Sequence, residues 1–185
     1  KEKEKKTKQK KTGLIIGGTG GIGRAGCAQL AEDGFDLAIH YFKNKTKADK
    51  LKKQLDKFGK KVVIVSGDIA SATDVKELKE KSLRAIGNIA VIVNCSTIPI
   101  PAIKFADLEW EDIQAHYDVN IKGSFNLLRA FVPDWENEHF GKFIALTTLA
   151  TEKLNAQWLP YITSKTALNG FVKALAFELA PKGIR

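Results

Sequence analysis

Tyr161 and Lys165 are the two residues whose types and spacing point most directly to chemistry, because they stand four positions apart at the start of a helix-like segment. Residues i and i+4 share one helix face, so the phenol and the ammonium become neighbours. A phenol is ordinarily a weak acid, and a nearby cation favours its phenolate form. The pair therefore indicates proton transfer at neutral pH. The alternative is an ordinary helix pair with a packed tyrosine and a solvated lysine.

The same helix face continues with apolar residues at helical spacing: Leu168, Val172, Leu175 and Leu179. This stripe predicts that the pair faces the core or a buried interface. A lysine in such surroundings needs a polar partner.

A cluster of five glycines forms the second candidate feature, in Gly17-Gly18-Thr19-Gly20-Gly21-Ile22-Gly23. Where Cβ atoms are missing, backbone amides can approach a pyrophosphate at the positive end of a helix. The cluster fits both GxxxGxG and GxGxxG, and it lacks the Gly-Lys-Ser/Thr ending of a P-loop. It favours dinucleotide binding over a purely structural glycine turn.

The elements that must position these residues alternate along the chain. Apolar, β-branched patterns predict strands at 14–16, 36–41, 62–65, 90–93 and 142–147. Helical spacing predicts helices at 22–33, 46–58, 73–86, 109–130 and 161–179.

This alternation predicts an α/β fold, a Rossmann-like doubly wound parallel sheet with helices on both faces. Ligands of such sheets bind outside the carboxyl ends of the strands. The segments that follow the strands are therefore candidate site segments: 17–23, 41–45, 67–68, 94–97 and 147–148.

Most of the net charge of +9 lies at the N-terminus, where residues 1–11 hold seven lysines and two glutamates. Such a block is typical of a solvated, disordered tail. We predict a lysine-rich tail over 1–11 and a single domain over 12–185. Binding of nucleic acid through the tail is the minority alternative, and we expect neither nucleic acid nor a membrane as a partner.

The two cysteines, Cys27 and Cys95, indicate neither a disulfide framework nor a structural zinc site. His40, His116 and His139 lack metal-like spacing, so we predict no metal and treat them as packing or surface residues. No apolar run is long enough to span a membrane, and no secretory signal is present, which favours a cytoplasmic protein.

In order and spacing, the glycine cluster, Tyr161 and Lys165 resemble the short-chain dehydrogenase/reductase family, from about residue 12 to residue 185. Within it, the pattern is most similar to the 3-oxoacyl carrier-protein reductase group. Residues 180–185 resemble the lead into the family's sixth strand, so we expect a domain that lacks its C-terminal strands. The resemblance also implies a homo-oligomer, a dimer or tetramer, formed through the long helices that begin near Glu109 and Tyr161.

The resemblance implies an oxidoreductase that transfers hydride between a nicotinamide cofactor and a carbonyl or secondary alcohol. Tyr161 would be the general acid in reduction and the general base in the reverse direction. Lys165 would favour the phenolate and bind the nicotinamide ribose, and Thr148 would orient the substrate carbonyl. Asn120 would hold a water that links Lys165 to solvent.

The resemblance also implies a cofactor site in which Asp68 contacts the adenine and Asn94 opens the family's Asn-Asn-Ala-Gly motif. The cofactor-binding residues expected on this basis are Gly17, Thr19, Gly21, Ile22, Gly23, Tyr41, Lys43, Asp68, Ile69, Asn94 and Lys165.

The choice of cofactor depends on the end of the second strand, where an acid favours NAD and a base accommodates the 2′-phosphate of NADP. No acid follows that strand, and Lys43 and Lys45 lie there, which favours NADP(H) over NAD(H). Two observations oppose this: the lysines could be solvated loop charges, and Gly20 stands where many NADP-using relatives carry a base.

The sequence departs from the family pattern at three places: Thr148 replaces Ser, Cys95-Ser96-Thr97 replaces Asn-Ala-Gly, and Ile16 replaces the Thr that opens the glycine motif. The added methyl of Thr148 narrows the site. Ile16 lacks a hydroxyl that ties neighbouring loops together. The alternative function is therefore a catalytically impaired or non-catalytic nucleotide-binding protein of the same fold.

Overall fold

Parallel strands form one sheet in the computed structural model, which describes residues 11–100 and 102–185. Within these residues the sheet has five strands: β1 (Thr12–Ile16), β2 (Asp36–Tyr41), β3 (Val62–Ser66), β4 (Val91–Asn94) and β5 (Lys142–Ala145). Their order is β3-β2-β1-β4-β5. Leu14 of β1 pairs with Ala38 of β2 and with Ile92 of β4. The order reverses beside β1, which is where such sheets bind their ligands.

Six α-helices connect and cover these strands in the described residues: α1 (Gly21–Glu32), α2 (Lys45–Leu55), α3 (Ala72–Ile86), α4 (Trp110–Tyr117), α5 (Gly123–Glu138) and α6 (Leu159–Leu179). Neighbouring residues of a strand point to opposite faces of the sheet. Ile15 packs into a core with residues of α1 and α2, whereas Leu14 and Ile16 pack into a second core with residues of α3, α5 and α6. The predicted doubly wound α/β fold, with helices on both faces, is therefore confirmed.

The helix predicted over 109–130 is instead two helices joined by a π-helical turn at Asp118–Lys122. The second of them, α5, continues to Glu138 with Pro133 inside it. A proline normally predicts the end of a helix. Here Phe131 and Trp135, one turn apart and both buried, hold this part of α5 against the core. The Trp135 indole also donates a hydrogen bond to the Ile89 carbonyl.

After α6, the chain reaches the outer edge of β5. Gly183 adopts a left-handed φ of +78° after the short turn Ala180–Lys182. Ile184 then forms a parallel bridge with Gly141, and Arg185 exchanges backbone hydrogen bonds with the same edge. Residues 184–185 thus lie beside β5 like the start of another strand.

The lysine-rich tail predicted over 1–11 lies, except for Lys11, outside the described residues. None of the helices in the described ranges is long and apolar enough to cross a membrane.

Candidate active site

The glycine turn between β1 and α1 brings backbone atoms into close contact. Gly17 has a left-handed φ of +67°. A Cβ on Gly23 would collide with the Gly17 carbonyl oxygen. Gly20 caps α1 without a side-chain hydrogen bond, so the N–H groups of the first helical turn face outward with no side-chain cap. The turn therefore has the form of a cradle for a phosphate group.

The buried imidazole of His40 connects the glycine turn to the end of β3. Its Nδ1 accepts a hydrogen bond from the Gly17 N–H at 3.2 Å, and its Nε2 lies 2.8 Å from the Gly67 carbonyl oxygen. These contacts fit the neutral tautomer with its proton on Nε2. Burial lowers the pKa of His40, although the Gly67 carbonyl and Asp68 oppose this effect. His40 thus ties together two loops of the site.

A cleft of about 390 Å³ opens beside the glycine turn, at the carboxyl ends of the strands. Four of the predicted cofactor residues line it: Gly17, Thr19, Asp68 and Ile69. Phe42, Cys95, Ser96 and Thr97 form other parts of its wall. The other seven predicted residues do not line this cleft: Gly21, Ile22, Gly23, Tyr41, Lys43, Asn94 and Lys165. Gly21 and Ile22 begin α1 instead, and the Ile22 side chain is exposed.

The loop after β3 is held in place by hydrogen bonds of two aspartates. Asp68 accepts a hydrogen bond from the Ala70 N–H, and its own N–H donates to the Asp74 carboxylate at 2.8 Å. The Ser71 hydroxyl also donates to Asp74. These donors, the Asp68 N–H foremost, lower the pKa of Asp74. Asp68 is thereby fixed at the cleft wall.

Asn94, at the end of β4, forms three hydrogen bonds within the protein through its side chain. Its amide donates to the Ser124 hydroxyl at 3.1 Å, and its Oδ1 accepts from the Ser96 N–H and the Ser96 hydroxyl. Asn94 thus anchors α5 and the segment that carries Cys95 and Ser96 along the cleft.

The Tyr161–Lys165 pair lies on the first two turns of α6. Lys165 is only 4% exposed, and its ammonium donates a hydrogen bond to the Leu146 carbonyl at 2.8 Å. The Leu146 carbonyl is thus the polar partner that a lysine on this apolar helix face was expected to need. Burial lowers the pKa of Lys165 to about 8. Burial also raises the pKa of the Cys95 thiol at the cleft wall, and the charge of Lys165 opposes that rise.

Tyr161 is half-buried between two other rings. Trp158 and His116 contact it edge-on, with ring centroids 6.1 and 6.0 Å from the Tyr161 centroid. Such edge-to-face contacts favour one ring orientation. The phenol is therefore held by Trp158, which directly precedes α6, and by His116 on α4.

The π-helical turn places Asn120 against α6. The Asn120 amide donates to the Ser164 hydroxyl at 2.9 Å, and that hydroxyl donates to the Tyr161 carbonyl. Single π-turns inside helices are frequent at functional sites. The turn thus connects Asn120, through the Ser164 hydroxyl, to the backbone of Tyr161.

Thr148 lies after β5, at the start of a short 3₁₀ turn (Leu149–Thr151). Its hydroxyl oxygen accepts a hydrogen bond from the Ala150 N–H, and its carbonyl accepts one from the Thr151 hydroxyl. The Thr148 hydroxyl keeps its own proton available for donation.

The lysines after β2 differ in their surroundings. Lys43 lies over the Phe42 ring, and Lys45 forms an ion pair with Asp49 at 2.8 Å. A second cavity, of about 400 Å³, lies between α1 and α2 and holds Arg24, Lys47 and Lys50. Thr19 and Gly20 line both this basic cavity and the cleft, so the two spaces adjoin.

These features fit a nicotinamide dinucleotide. The cradle at Gly17 and Gly23 suits a pyrophosphate, and the adjoining cleft offers Asp68 and apolar walls for the nucleoside parts. A buried cation one helical turn from a tyrosine suits proton transfer.

A sequence profile described as short chain dehydrogenase matches residues 11–185. The chain belongs to the short-chain dehydrogenase family. This membership confirms the resemblance found in the sequence, and it makes the chain an oxidoreductase of a family that uses nicotinamide cofactors.

Two relatives extend the comparison within the short-chain dehydrogenases. A 3-oxoacyl-[acyl-carrier-protein] reductase of Staphylococcus epidermidis is 30% identical over 176 residues, which cover 94% of this chain and 71% of the relative. The protein of the same name from Staphylococcus aureus is 29% identical over 179 residues, 96% of this chain and 72% of the relative.

Solved structures agree with the fold. An NAD⁺-bound xylitol dehydrogenase superposes with a TM-score of 0.87 at 24% identity, covering 95% of this chain and 67% of that one. A putative betaketoacyl-ACP reductase gives a TM-score of 0.84, also at 24% identity, covering 94% and 69%.

Three features of this short-chain dehydrogenase site escaped sequence reasoning. We predicted His40 and His116 to be packing or surface residues; both are buried, but the hydrogen bonds of His40 to Gly17 and Gly67 and the contact of His116 with Tyr161 were not predicted. The basic cavity is lined by Lys47 of α2, whereas we predicted the basic residues to be those at the end of β2. A weak signal existed for His40, since it stands inside an otherwise apolar strand.

Proposed function

We propose that this short-chain dehydrogenase reduces a small-molecule carbonyl, or oxidises the matching secondary alcohol, with Tyr161 as the general acid or base. One observation supports this proposal most directly: the buried Lys165 cation lies one helical turn from the half-buried Tyr161 phenol, beside a cleft with a phosphate cradle. When bound, the nicotinamide supplies or accepts the hydride at the substrate carbon.

The remaining steps belong to the chain's own residues. Tyr161 donates its phenolic proton to the carbonyl oxygen, and the Lys165 charge stabilises the phenolate that remains. The Thr148 hydroxyl donates a hydrogen bond to the carbonyl oxygen and orients it. Asn120, whose amide is hydrogen-bonded to Ser164, holds a water that links Lys165 to solvent and so maintains its proton supply.

The similarity to 3-oxoacyl-[acyl-carrier-protein] reductases makes a 3-oxoacyl compound the first substrate to test. We expect Tyr161→Phe to lower turnover of such a compound by about 10²–10⁴-fold while cofactor affinity is retained. Tyr117→Phe, on α4, is the matched control and should keep its turnover. Equal turnover of Tyr161→Phe and the unaltered chain would refute the assignment.

Cofactor binding without turnover of any carbonyl or alcohol would favour a non-catalytic nucleotide-binding protein. The presence of the Cys95, Ser96 and Thr97 side chains in the cleft favours the same alternative.

We also propose that the cofactor is NADP(H) and that the basic cavity contributes to this preference. Arg24, Lys47 and Lys50 lie next to the cleft, and no carboxylate forms an ion pair with them among the described residues. Lys45 is paired with Asp49, which leaves it less able to bind a phosphate. A 2′-phosphate would gain charge-assisted hydrogen bonds from the free cations.

This preference can be measured without a substrate. We expect NADPH to bind more tightly than NADH, and 2′,5′-ADP more tightly than 5′-ADP. The double variant Lys47→Ala, Lys50→Ala should weaken 2′,5′-ADP at least about tenfold and leave 5′-ADP unchanged. Lys52→Ala, Lys53→Ala, on the exposed side of α2, is the control. Tighter binding of NADH would overturn the preference.

We further propose a homo-oligomer formed through α5 and α6. Phe125 of α5 and Phe177 of α6 expose 53% and 89% of their surfaces, which is unusual for aromatic side chains. Phe177→Lys should shift the mass measured by light scattering toward the monomer. A monomeric unaltered chain would contradict the proposal.

A further inference from the structure

His116 is a buried polar residue beside Tyr161 for which the proposed mechanism has no use. It lies on α4 with 1% of its surface exposed, and its ring meets the Tyr161 ring at 72°. Neither ring nitrogen has a hydrogen-bond partner in the part of the chain that the structure describes. A neutral imidazole carries one N–H donor and one acceptor nitrogen, so burial leaves both of these groups without a partner.

A third such atom lies one helical turn further on. The Oδ1 of Asn120 is also buried and has no partner among the described residues, although the Asn120 amide is bound to Ser164. Buried polar atoms in native proteins are paired as a rule, and an enclosed water commonly supplies the missing bonds. Three unpaired atoms where α4 and the π-helical turn pack against α6 therefore mark a place where a small polar molecule is held.

We propose that His116 is a positioning residue, which together with Asn120 holds an enclosed water beside Tyr161 and thereby fixes and solvates the reacting phenol. The assignment rests on the proposed role of Tyr161 as general acid or base. The His116 N–H donates to the water, and the water donates to Asn120 Oδ1. The phenolate formed in the reaction is then stabilised by a water on this side as well as by Lys165.

The charges around His116 keep its ring neutral. Burial lowers the pKa of His116 most, the Lys165 ammonium on α6 lowers it further, and Asp112 on α4 opposes them. Tyr161 is the other titratable group that faces it from α6. A neutral ring keeps the one N–H that donates to the enclosed water.

Two substitutions separate this role from simple packing. His116→Phe keeps an aromatic ring against Tyr161 but removes both polar nitrogens, whereas His116→Gln keeps a donor and an acceptor without the ring. We expect His116→Phe to melt near the temperature of the unaltered chain, because a ring of similar shape fills the same space and the cost of burying the two polar nitrogens is lost together with their hydrogen bonds. We expect kcat to fall about tenfold with little change in the KM for the cofactor.

The decisive measurement is the ionisation of the Tyr161 phenol, followed by tyrosinate absorbance as the difference between each protein and its Tyr161→Phe counterpart. In His116→Phe the transition should move to higher pH, and in His116→Gln it should return toward that of the unaltered chain. An unmoved transition in His116→Phe, or no recovery in His116→Gln, would overturn the inference. Because this titration needs no substrate, it distinguishes failure of the inference from failure of the proposed reaction.

Discussion

Lys165 keeps a positive charge in a buried place, where its hydrogen bond goes to a backbone carbonyl. No carboxylate oxygen lies within 4.0 Å of its ammonium among the described residues. Taking an ammonium out of water costs free energy that one carbonyl does not fully offset. Its pKa, lowered to about 8, reports that cost. In the proposed mechanism, this charge stabilises the Tyr161 phenolate at the expense of the stability of the fold.

Replacing this lysine should therefore stabilise the protein and inactivate it. We expect Lys165→Met to raise the free energy of unfolding at neutral pH by about 1–3 kcal/mol, because a buried charge is replaced by an apolar side chain of similar length. Turnover should fall at the same time. Lys173→Met, at an exposed position of α6, is the control and should change stability little. A Lys165→Met variant less stable than the unaltered chain in urea would contradict this reasoning.

At the residue scale, a sequence reveals types and spacing but not surroundings. Tyr161 and Lys165 were predictable because an i, i+4 pair brings its members together on any helix. His116 was not, since its burial depends on α4 packing against α6, a contact between segments about 45 positions apart in sequence. The partner of Lys165, the Leu146 carbonyl, is likewise a backbone atom that no motif could name.

At the scale of elements, the glycine turn and α1 must meet closely, and two glycines of α1 test this. A Cβ on Gly23 would collide with the Gly17 carbonyl, whereas a Cβ on Gly26 would meet no heavy atom within 4 Å. We expect Gly23→Ala to destabilise the protein and weaken NADPH binding at least about tenfold. Gly26→Ala should instead add up to about 1 kcal/mol of stability, because alanine favours a helix interior. Similar losses in both variants, by thermal melting and cofactor titration, would sink the argument.

The strands were predicted nearly to the residue, and the reason is local. Apolar runs such as Leu37-Ala38-Ile39 are buried on both faces of a parallel sheet, so the apolar pattern in the sequence has the same bounds as the strand core. The π-turn at Asp118–Lys122 and the continuation of α5 past Pro133 were missed. Both depend on tertiary contacts, those of Asn120 with α6 and of Trp135 with the core, which override the local signals.

At the scale of the whole molecule, two buried histidines connect parts that lie far apart in sequence. His40 joins the glycine turn to β3, and His116 lies between α4 and α6. Both have a pKa below the ordinary 6.5, with burial as the main cause. The folded state therefore resists protonation at both places, and its stability must depend on pH.

The sign of that dependence follows from proton counts. Between the lowered values and 6.5, the unfolded chain binds protons at these two positions and the folded protein does not. The contribution of these two residues to the free energy of unfolding is thus fully present above about pH 6.5 and falls as pH drops through that value, by about 1.4 kcal/mol per pH unit for each excess proton. Urea denaturation from about pH 7 to about pH 5 measures it. His116→Phe should reduce the slope, and His139→Gln, at an exposed residue, should leave it unchanged. A flat profile in this range would show that the two rings take up protons in the folded state as readily as in the unfolded chain.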